Sequence, residues 1–486
     1  MPPPSATKRF DSPPRIAVLG GGVSGLAAAW YCNQLRPDWQ VVLLEAQDRL
    51  GGMIRTERDA GYLIEHAADN FLRGPSAPWA ERLSQQMGFS SELLPTAEAN
   101  RGAHVVWRGK LHRVPAGFQL MAPARLWPIL TSPLLSIPGR LRLCAEPLIS
   151  EPADGRDESL TEFATRRLGR EGFERLVQPL VSGIYTADPD QLSVAAALPQ
   201  MVDMVREHGS LYGAMRDRAK KQTESASTRG ARYSLFVAPR GGMSDFTDAI
   251  ASKLTATEIR RASRVERCVH LADGRWQLSV QHGTAPELFE GVIMALPHHV
   301  AADLLAESEA ELSAELHAIP LASSAVVCLG VKLADVGRTL DAFGCVVPAA
   351  ERRRILAVSY SSLKFPGRAP EGELLLRVFV GGALQAELAE LPDEKLLELV
   401  RAELATLLKY RGTPRLEKIV RWPHAMPQYH LGHLDRVRRI ESLVAHTPGL
   451  QLAGNALHGV GIPQCVHSGE VAADALCAEL SGLLLN

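Results

Sequence analysis

The chain has 486 residues, 46% of them apolar and 22% charged, with a formal net charge of −1. That length predicts two or three domains, and the near-neutral charge leaves no electrostatic footprint for nucleic acid. No run reaches the roughly 20 apolar residues that span a bilayer, and seven scattered cysteines without metal-type spacing argue against a disulfide framework and for a reducing compartment.

Residues 1–14 lack the apolar stretch of a signal peptide and read as a disordered tail. The run Ile16 to Leu19 then reads as a buried parallel strand, followed by Gly20, Gly21, Gly22, Val23, Ser24 and Gly25. Gly20, Gly22 and Gly25 permit a tight turn, close backbone approach to a pyrophosphate, and close packing of the next helix. That helix would aim its free N–H groups at the phosphates. A second apolar run ends at Glu45, where a carboxylate can accept from a ribose hydroxyl. An acid there suits an unphosphorylated ribose, so FAD or NAD is expected over NADP. Next come Ala46, Arg49, the pair Gly51-Gly52, Met53 and Ile54. The two glycines let backbone run beside a cofactor, and Arg49 can reach a phosphate or fix the loop.

Further along, Ala77 to Met87 predicts a helix and Val105 to Val114 a hairpin around Arg108-Gly109. Residues 115 to 225 read mostly as helix. Within them Phe118 to Leu143 is apolar but broken by four prolines, which leaves packed short helices and a membrane-facing or ligand-channel segment as equal readings. The polar stretch Arg216 to Arg232 predicts a mobile surface loop. A helix over Ser244 to Leu254 and a hairpin around Asp273-Gly274 follow. Strands are expected at Gly291 to Pro297, Ala325 to Lys332, Glu373 to Val380, Lys418 to Trp422 and Leu450 to Asn455. Helices are expected at Asp393 to Tyr410 and Gln464 to Leu480. The fold class is α/β with α+β: a discontinuous Rossmann-like FAD-binding domain (15–90, 235–300, 425–486), a mixed-sheet substrate domain (91–114, 301–424) and a helical domain (115–234).

The extension through Arg49 and Gly51-Gly52 resembles the FAD signature of the flavin amine oxidase superfamily, which implies one non-covalent FAD. Further blocks narrow the resemblance to the oxygen-dependent protoporphyrinogen oxidases, over about Arg15 to Leu480. They are Asp157 to Ser159, Arg167 to Arg170, Pro179 to Pro189, Tyr360 to Pro366, Arg421-Trp422-Pro423, Pro427-Gln428-Tyr429, Gly454-Asn455 and Gly459 to Pro463. By this resemblance the cofactor also meets Ala67, Ala68, Asp69, Asn70, the backbone at Val265, Trp422, Gly454, Asn455, and the turn Val460-Gly461-Ile462, whose N–H groups stabilise negative charge on the reduced ring. At Ala67 the family often has glycine. Gly183 and Tyr360 would face the substrate, Gly183 for its missing side chain and Tyr360 as an aromatic against a pyrrole ring. Phe343 is a weaker candidate of that kind, and Arg73 is the expected partner of the substrate's propionates.

The resemblance implies oxidation of protoporphyrinogen IX to protoporphyrin IX by repeated two-electron steps, with O2 as acceptor and H2O2 as product. Flavin N5 does the chemistry and no side chain is assigned as acid or base. Coproporphyrinogen III is the alternative substrate. A flavin amine oxidase is the rival enzyme, disfavoured because Val327 stands where such enzymes often place a lysine. A carotenoid-desaturase-like enzyme and a flavin-free Rab-binding dissociation inhibitor complete the field. A cytoplasmic protein is expected, with peripheral contact to the inner face of the cell membrane and a homodimer kept open.

Overall fold

A computed structural model describes residues 13–150, 155–224 and 236–485. The tail expected over residues 1–14 lies outside them except for Pro13 and Pro14. Strand β1 (Arg15–Leu19), helix α1 (Val23–Leu35) and strand β2 (Gln40–Leu44) open the chain. Ile16 to Leu19 and Val41 to Leu44 are all buried, as strands covered on both faces must be. A hairpin, β3 (Thr56–Asp59) and β4 (Tyr62–Glu65), leads to the short β5 (Phe71–Leu72). The hairpin predicted around Arg108-Gly109 forms as β6 (His104–Trp107) and β7 (Lys110–Arg113).

Helices follow: α2 (Trp127–Leu130), α3 (Ile137–Cys144), α4 (Leu160–Leu168) and α5 (Gln178–Tyr185). The prolines cut Phe118 to Leu143 into short elements, because each removes a donor and fixes φ. Helix α4 starts on a capping box: the Ser159 hydroxyl accepts the Glu162 N–H, and the Glu162 carboxylate accepts the Ser159 N–H, each at 3.1 Å. The loop expected from Arg216 is corrected over its first half. A helix runs over Leu211–Glu224, since Ala favours helix and Lys and Gln do so despite their polarity. The rest of that stretch lies outside the described residues.

The chain continues through β8 (Phe236–Pro239), α6 (Met243–Lys253), β9 (Thr257–Arg260), β10 (Val265–His270) and β11 (Gly291–Met294). Next are β12 (Leu321–Lys332), β13 (Gly344–Val346), β14 (Ala357–Tyr360), β15 (Glu373–Gly381), α7 (Asp393–Leu407) and β16 (Leu416–Pro427). Helix α8 (His433–Ala445), strand β17 (Leu450–Leu452) and helix α9 (Ile462–Leu485) finish it.

Two sheets organise these elements. The first is parallel, ordered β9-β2-β1-β11-β17, with Ile16 in register with both Val41 and Gly291. Three separate stretches of chain supply its strands, and α1 and α9 cover one face around Val18, Leu26, Ile293 and Val466. The second is a seven-stranded mixed sheet, ordered β16-β12-β15-β14-β13-β6-β7. Side chains alternate along β12, so Val327 and Leu329 pack with Leu399 and Val400 of α7, while Val326 and Cys328 meet Tyr62 and Ile64 of β4. Each such aliphatic side chain contributes about 1.5–3 kcal/mol on full burial. The helical layer has its own core around Phe163, Leu176, Val181 and Met204, which also takes in Tyr429.

Candidate cofactor and substrate site

The turn after β1 is shaped by what its glycines lack. Gly20 has φ +103°, and a Cβ there would lie 2.4 Å from the Ala295 carbonyl oxygen; one on Gly25 would lie 1.9 Å from the Gly20 oxygen. The first turn of α1 carries no side-chain cap and no acidic residue, so its N–H groups are left to an external anion. A Cβ on Gly22 would meet only the Gly52 Cα, at 3.9 Å, so that side of the turn is open. Behind it, Gly51 donates its N–H to the Gly21 carbonyl at 2.8 Å. The buried Glu45 carboxylate accepts from the amides of Gly21 and Gln47, each at 2.7 Å, and keeps lone pairs for further donors. Arg49 turns inward: its guanidinium donates to the carbonyls of Leu50 and Ile54, both at 3.1 Å, and of Gly52. It therefore fixes the loop. Ala46 and Met53 are exposed on this loop, and Ile54 is buried. Val265 lies beside the same end of the sheet, where Ser263 donates to the Glu45 carbonyl at 2.8 Å.

Residues 66–70 run from β4 toward β5 and are tied to the second sheet. Trp422 Nε1 donates to the His66 carbonyl at 3.0 Å, and buried Arg377 donates to that of Ala67. The Asp69 carboxylate lies 3.3 Å from Lys364 Nζ and 3.4 Å from an Arg377 nitrogen, and Asn70 donates to it as well. Burial opposes ionisation of Asp69, but these two cations outweigh it and hold the carboxyl down at about 2. Ala67 and Ala68 stay partly or fully exposed above this network. At the far end of the first sheet, Gly454, Asn455, Val460 and Gly461 lie in the loop that enters α9 at Ile462. Among the described residues the amides of Val460 and Gly461 have no acceptor.

A cavity of about 570 Å³ opens between the helical layer and the second sheet. Its walls include Arg101, Arg113, Phe118, Leu180, Ile184 and Phe236. Leu180, Gly183 and Ile184 share one face of α5, and a Cβ on Gly183 would meet nothing within 4 Å. Phe236 forms an inner wall and pairs through its backbone with Leu72, two residues beyond Asn70. Arg101 lies 3.6 Å from the exposed Glu98, and its buried Nε has no acceptor among the described residues. Arg113 donates to the Arg101 carbonyl at 3.1 Å and so holds Arg101 in place. A larger groove, about 700 Å³, lies beyond the edge strand β17; its charged lining is Glu441 with no lysine or arginine, so it does not suit a polycarboxylate.

The structure places three expected substrate residues away from the lining of this cavity. Arg73 lies outside this cavity, its guanidinium 4.0 Å from Glu81 on the neighbouring helix. Tyr360 is fully buried, because its position at the end of β14 turns it into the core under α7, near Cys345. Phe343 is buried behind the wall, with its N–H bonded to the Gly102 carbonyl at 3.0 Å. Arg101 and Arg113 were missed by sequence reasoning; an Arg-Gly step and a hairpin end carry no signal of a shared cavity.

The family profile of flavin containing amine oxidoreductases matches residues 23–477. The chain belongs to this flavin amine oxidoreductase family. It is 31% identical to coproporphyrinogen III oxidase of Bacillus subtilis (strain 168), over 96% of this chain and 98% of that one. It is 32% identical to protoporphyrinogen oxidase of Homo sapiens, over 94% and 97%. A crystal structure from Exiguobacterium sp. 255-15, provisionally named a protoporphyrinogen oxidase, superposes with a TM-score of 0.82 at 29% identity, covering 97% of this chain and 100% of that one.

As a member of this family the chain is a flavin-dependent oxidoreductase. The rival reading within the family needed a lysine near Val327. The structure revises that position: Val327 faces α7, while Val326 and Cys328 pack with Tyr62 and Ile64, and Arg377 is engaged by Ala67 and Asp69.

Proposed function

We propose that the chain binds one FAD non-covalently and oxidises protoporphyrinogen IX to protoporphyrin IX, with O2 as electron acceptor and H2O2 as product. The observation that carries this reading is the cavity walled in part by Leu180 and Ile184 of α5. Its volume of about 570 Å³ falls within the range of small-molecule sites, about 300–1,000 Å³, and its rim bears guanidinium groups. A flat, largely apolar ring with carboxylate substituents matches those walls.

The protein residues divide the work. The uncapped start of α1 and the open side of Gly22 suit a pyrophosphate, and Glu45 suits a ribose hydroxyl. Asp69, Lys364 and Arg377 lock the 66–70 segment against which the ring would lie. Arg101, steadied by Arg113, would bind a propionate by charge-assisted hydrogen bonds. Gly183 leaves the face of α5 bare so that a macrocycle can lie against it. Bound FAD would supply the two-electron acceptance, and no acid or base side chain is required for loss of a pyrrole N–H proton.

Coproporphyrinogen III is the second reading, favoured by the name of the Bacillus subtilis relative. Anaerobic flavin reduction by protoporphyrinogen, coproporphyrinogen and spermine separates the readings. Reduction by either porphyrinogen and not by spermine supports a porphyrinogen oxidase, and the faster one names the substrate. Reduction by spermine alone refutes it.

We also place the protein in the cytoplasm with a peripheral membrane contact. Among the described residues no helix is long and apolar enough to cross a membrane. On and beside α2 and α3, however, Trp127 (73% exposed), Ile137 (69%), Leu141 (61%) and Leu148 (84%) stand out from the surface. Exposed Arg125 flanks them, and Pro128 and Pro133 of the same segment line the cavity. An interfacial tryptophan with aliphatic neighbours and arginine suits an anionic bilayer surface.

A further inference from the structure

Two side chains outside the glycine turn hold the loop that runs into α9. The Tyr429 hydroxyl donates to the Asn455 carbonyl at 2.6 Å and accepts the Gly459 N–H at 2.8 Å. His433, the first residue of α8, donates from Nε2 to the Leu457 carbonyl at 3.1 Å. The two rings stack, with centroids 4.1 Å apart and planes 14° from parallel. Alternate residues 455, 457 and 459 are thus each bonded to one rigid aromatic pair.

The pair is itself anchored. Tyr429 is fully buried in the helical core, and its carbonyl accepts the Ser193 N–H at 2.8 Å. Burial keeps His433 neutral near pH 7, which suits a single Nε2–H donor. Beyond the clamp, Gly459 has φ +134°, and a Cβ there would lie 2.7 Å from the Gln464 side chain. The loop's path therefore has little freedom of its own, and it ends at the two amides of Val460 and Gly461 that lack acceptors among the described residues.

We propose that Tyr429 and His433 are positioning residues that aim the Val460 and Gly461 amides at the flavin ring and thereby raise its reduction potential. This rests on the reading above that the Val460 turn borders the ring. Donors fixed where negative charge develops favour the reduced form without reorganising. Loss of one clamp bond lets the loop relax and weakens that preference.

The test is the midpoint potential of the FAD-loaded protein, measured by dye equilibration without porphyrinogen. Tyr429→Phe keeps the ring stack and removes only the hydroxyl. The expected result is a tenfold weaker preference for the reduced form, about 30 mV for a two-electron couple, with flavin content unchanged. His433→Leu should shift it the same way, and His433→Gln, which retains a donor, should restore most of it. An unchanged potential in Tyr429→Phe, with only a lower Tm, overturns the proposal. Should Tyr429→Phe not fold, the His433 pair decides by the same criterion. Wild-type protein that holds FAD but oxidises neither porphyrinogen would refute the proposed substrate while leaving this comparison intact.

Discussion

The Glu45 carboxylate accepts the Gly21 amide at 2.7 Å, joining the end of β2 to the glycine turn after β1. One acid thereby shapes the turn, and by the proposed function it also meets a ribose. Glu45→Ala removes two backbone contacts at 2.7 Å along with the ribose partner. Hydrogen bonds to charged groups are worth about 1.5–3 kcal/mol, so FAD affinity should fall by about 10- to 100-fold. Fluorescence titration of the apoprotein measures this, and an unaltered Kd would remove Glu45 from the cofactor site.

Gly183→Leu separates the cavity from the fold. Since a Cβ at Gly183 meets nothing within 4 Å, Tm and flavin content should be unchanged. Porphyrinogen turnover should be lost, because the leucine fills the space beside Leu180 and Ile184. A variant with wild-type kcat/KM would show that substrate lies elsewhere.

Arg101 and Arg73 make opposite predictions. Arg101→Ala should raise KM by about tenfold or more with little change in kcat, as expected for loss of a charge-assisted contact. Arg73→Ala should leave KM unchanged, since its guanidinium faces Glu81. The reverse pattern would return the propionate contact to Arg73.

Leu141→Ser combined with Ile137→Ser tests the exposed apolar stripe. Each buried aliphatic side chain contributes about 1.5–3 kcal/mol, so co-sedimentation with anionic vesicles should drop by at least tenfold. Activity on dispersed substrate should be retained. Equal vesicle binding by the variant and the wild type would count against a lipid-facing stripe.

Acid should destabilise the protein in two stages. Burial lowers the pKa of His298 to about 4, while Nε2 donates to the Ile319 carbonyl at 3.0 Å. Its folded value lies below the unfolded value of about 6.5, so this stabilisation is complete above about pH 6.5 and is lost as pH falls toward about 4. Asp69, held at about 2, adds a second loss between about pH 4 and 2. Denaturant midpoints against pH should therefore slope less between 6.5 and 4 in His298→Gln. An identical slope would show that the imidazole does not carry the effect.

The opening strand-turn-helix-strand unit was largely legible from the sequence because its constraints are local. Gly20, Gly25 and Glu45 occupy fixed offsets in one strand-turn-helix-strand unit, and each is required by contacts to backbone nearby in the chain or across one strand pair. Periodicity likewise located α7 and the hairpin of β6 and β7. Tertiary packing decided the rest. Tyr360 read as a substrate aromatic, yet the face of β14 it occupies is set by pairing with β13 and β15, which brings it beneath α7. Arg101 meets Arg113, twelve residues away, through its carbonyl at the cavity, and Tyr429 meets Gly459 across thirty residues. Motif spacing records the short-range geometry a bound nucleotide demands. Which distant side chains converge on a cavity depends on strand order and sheet face, and these are settled when the layers pack together.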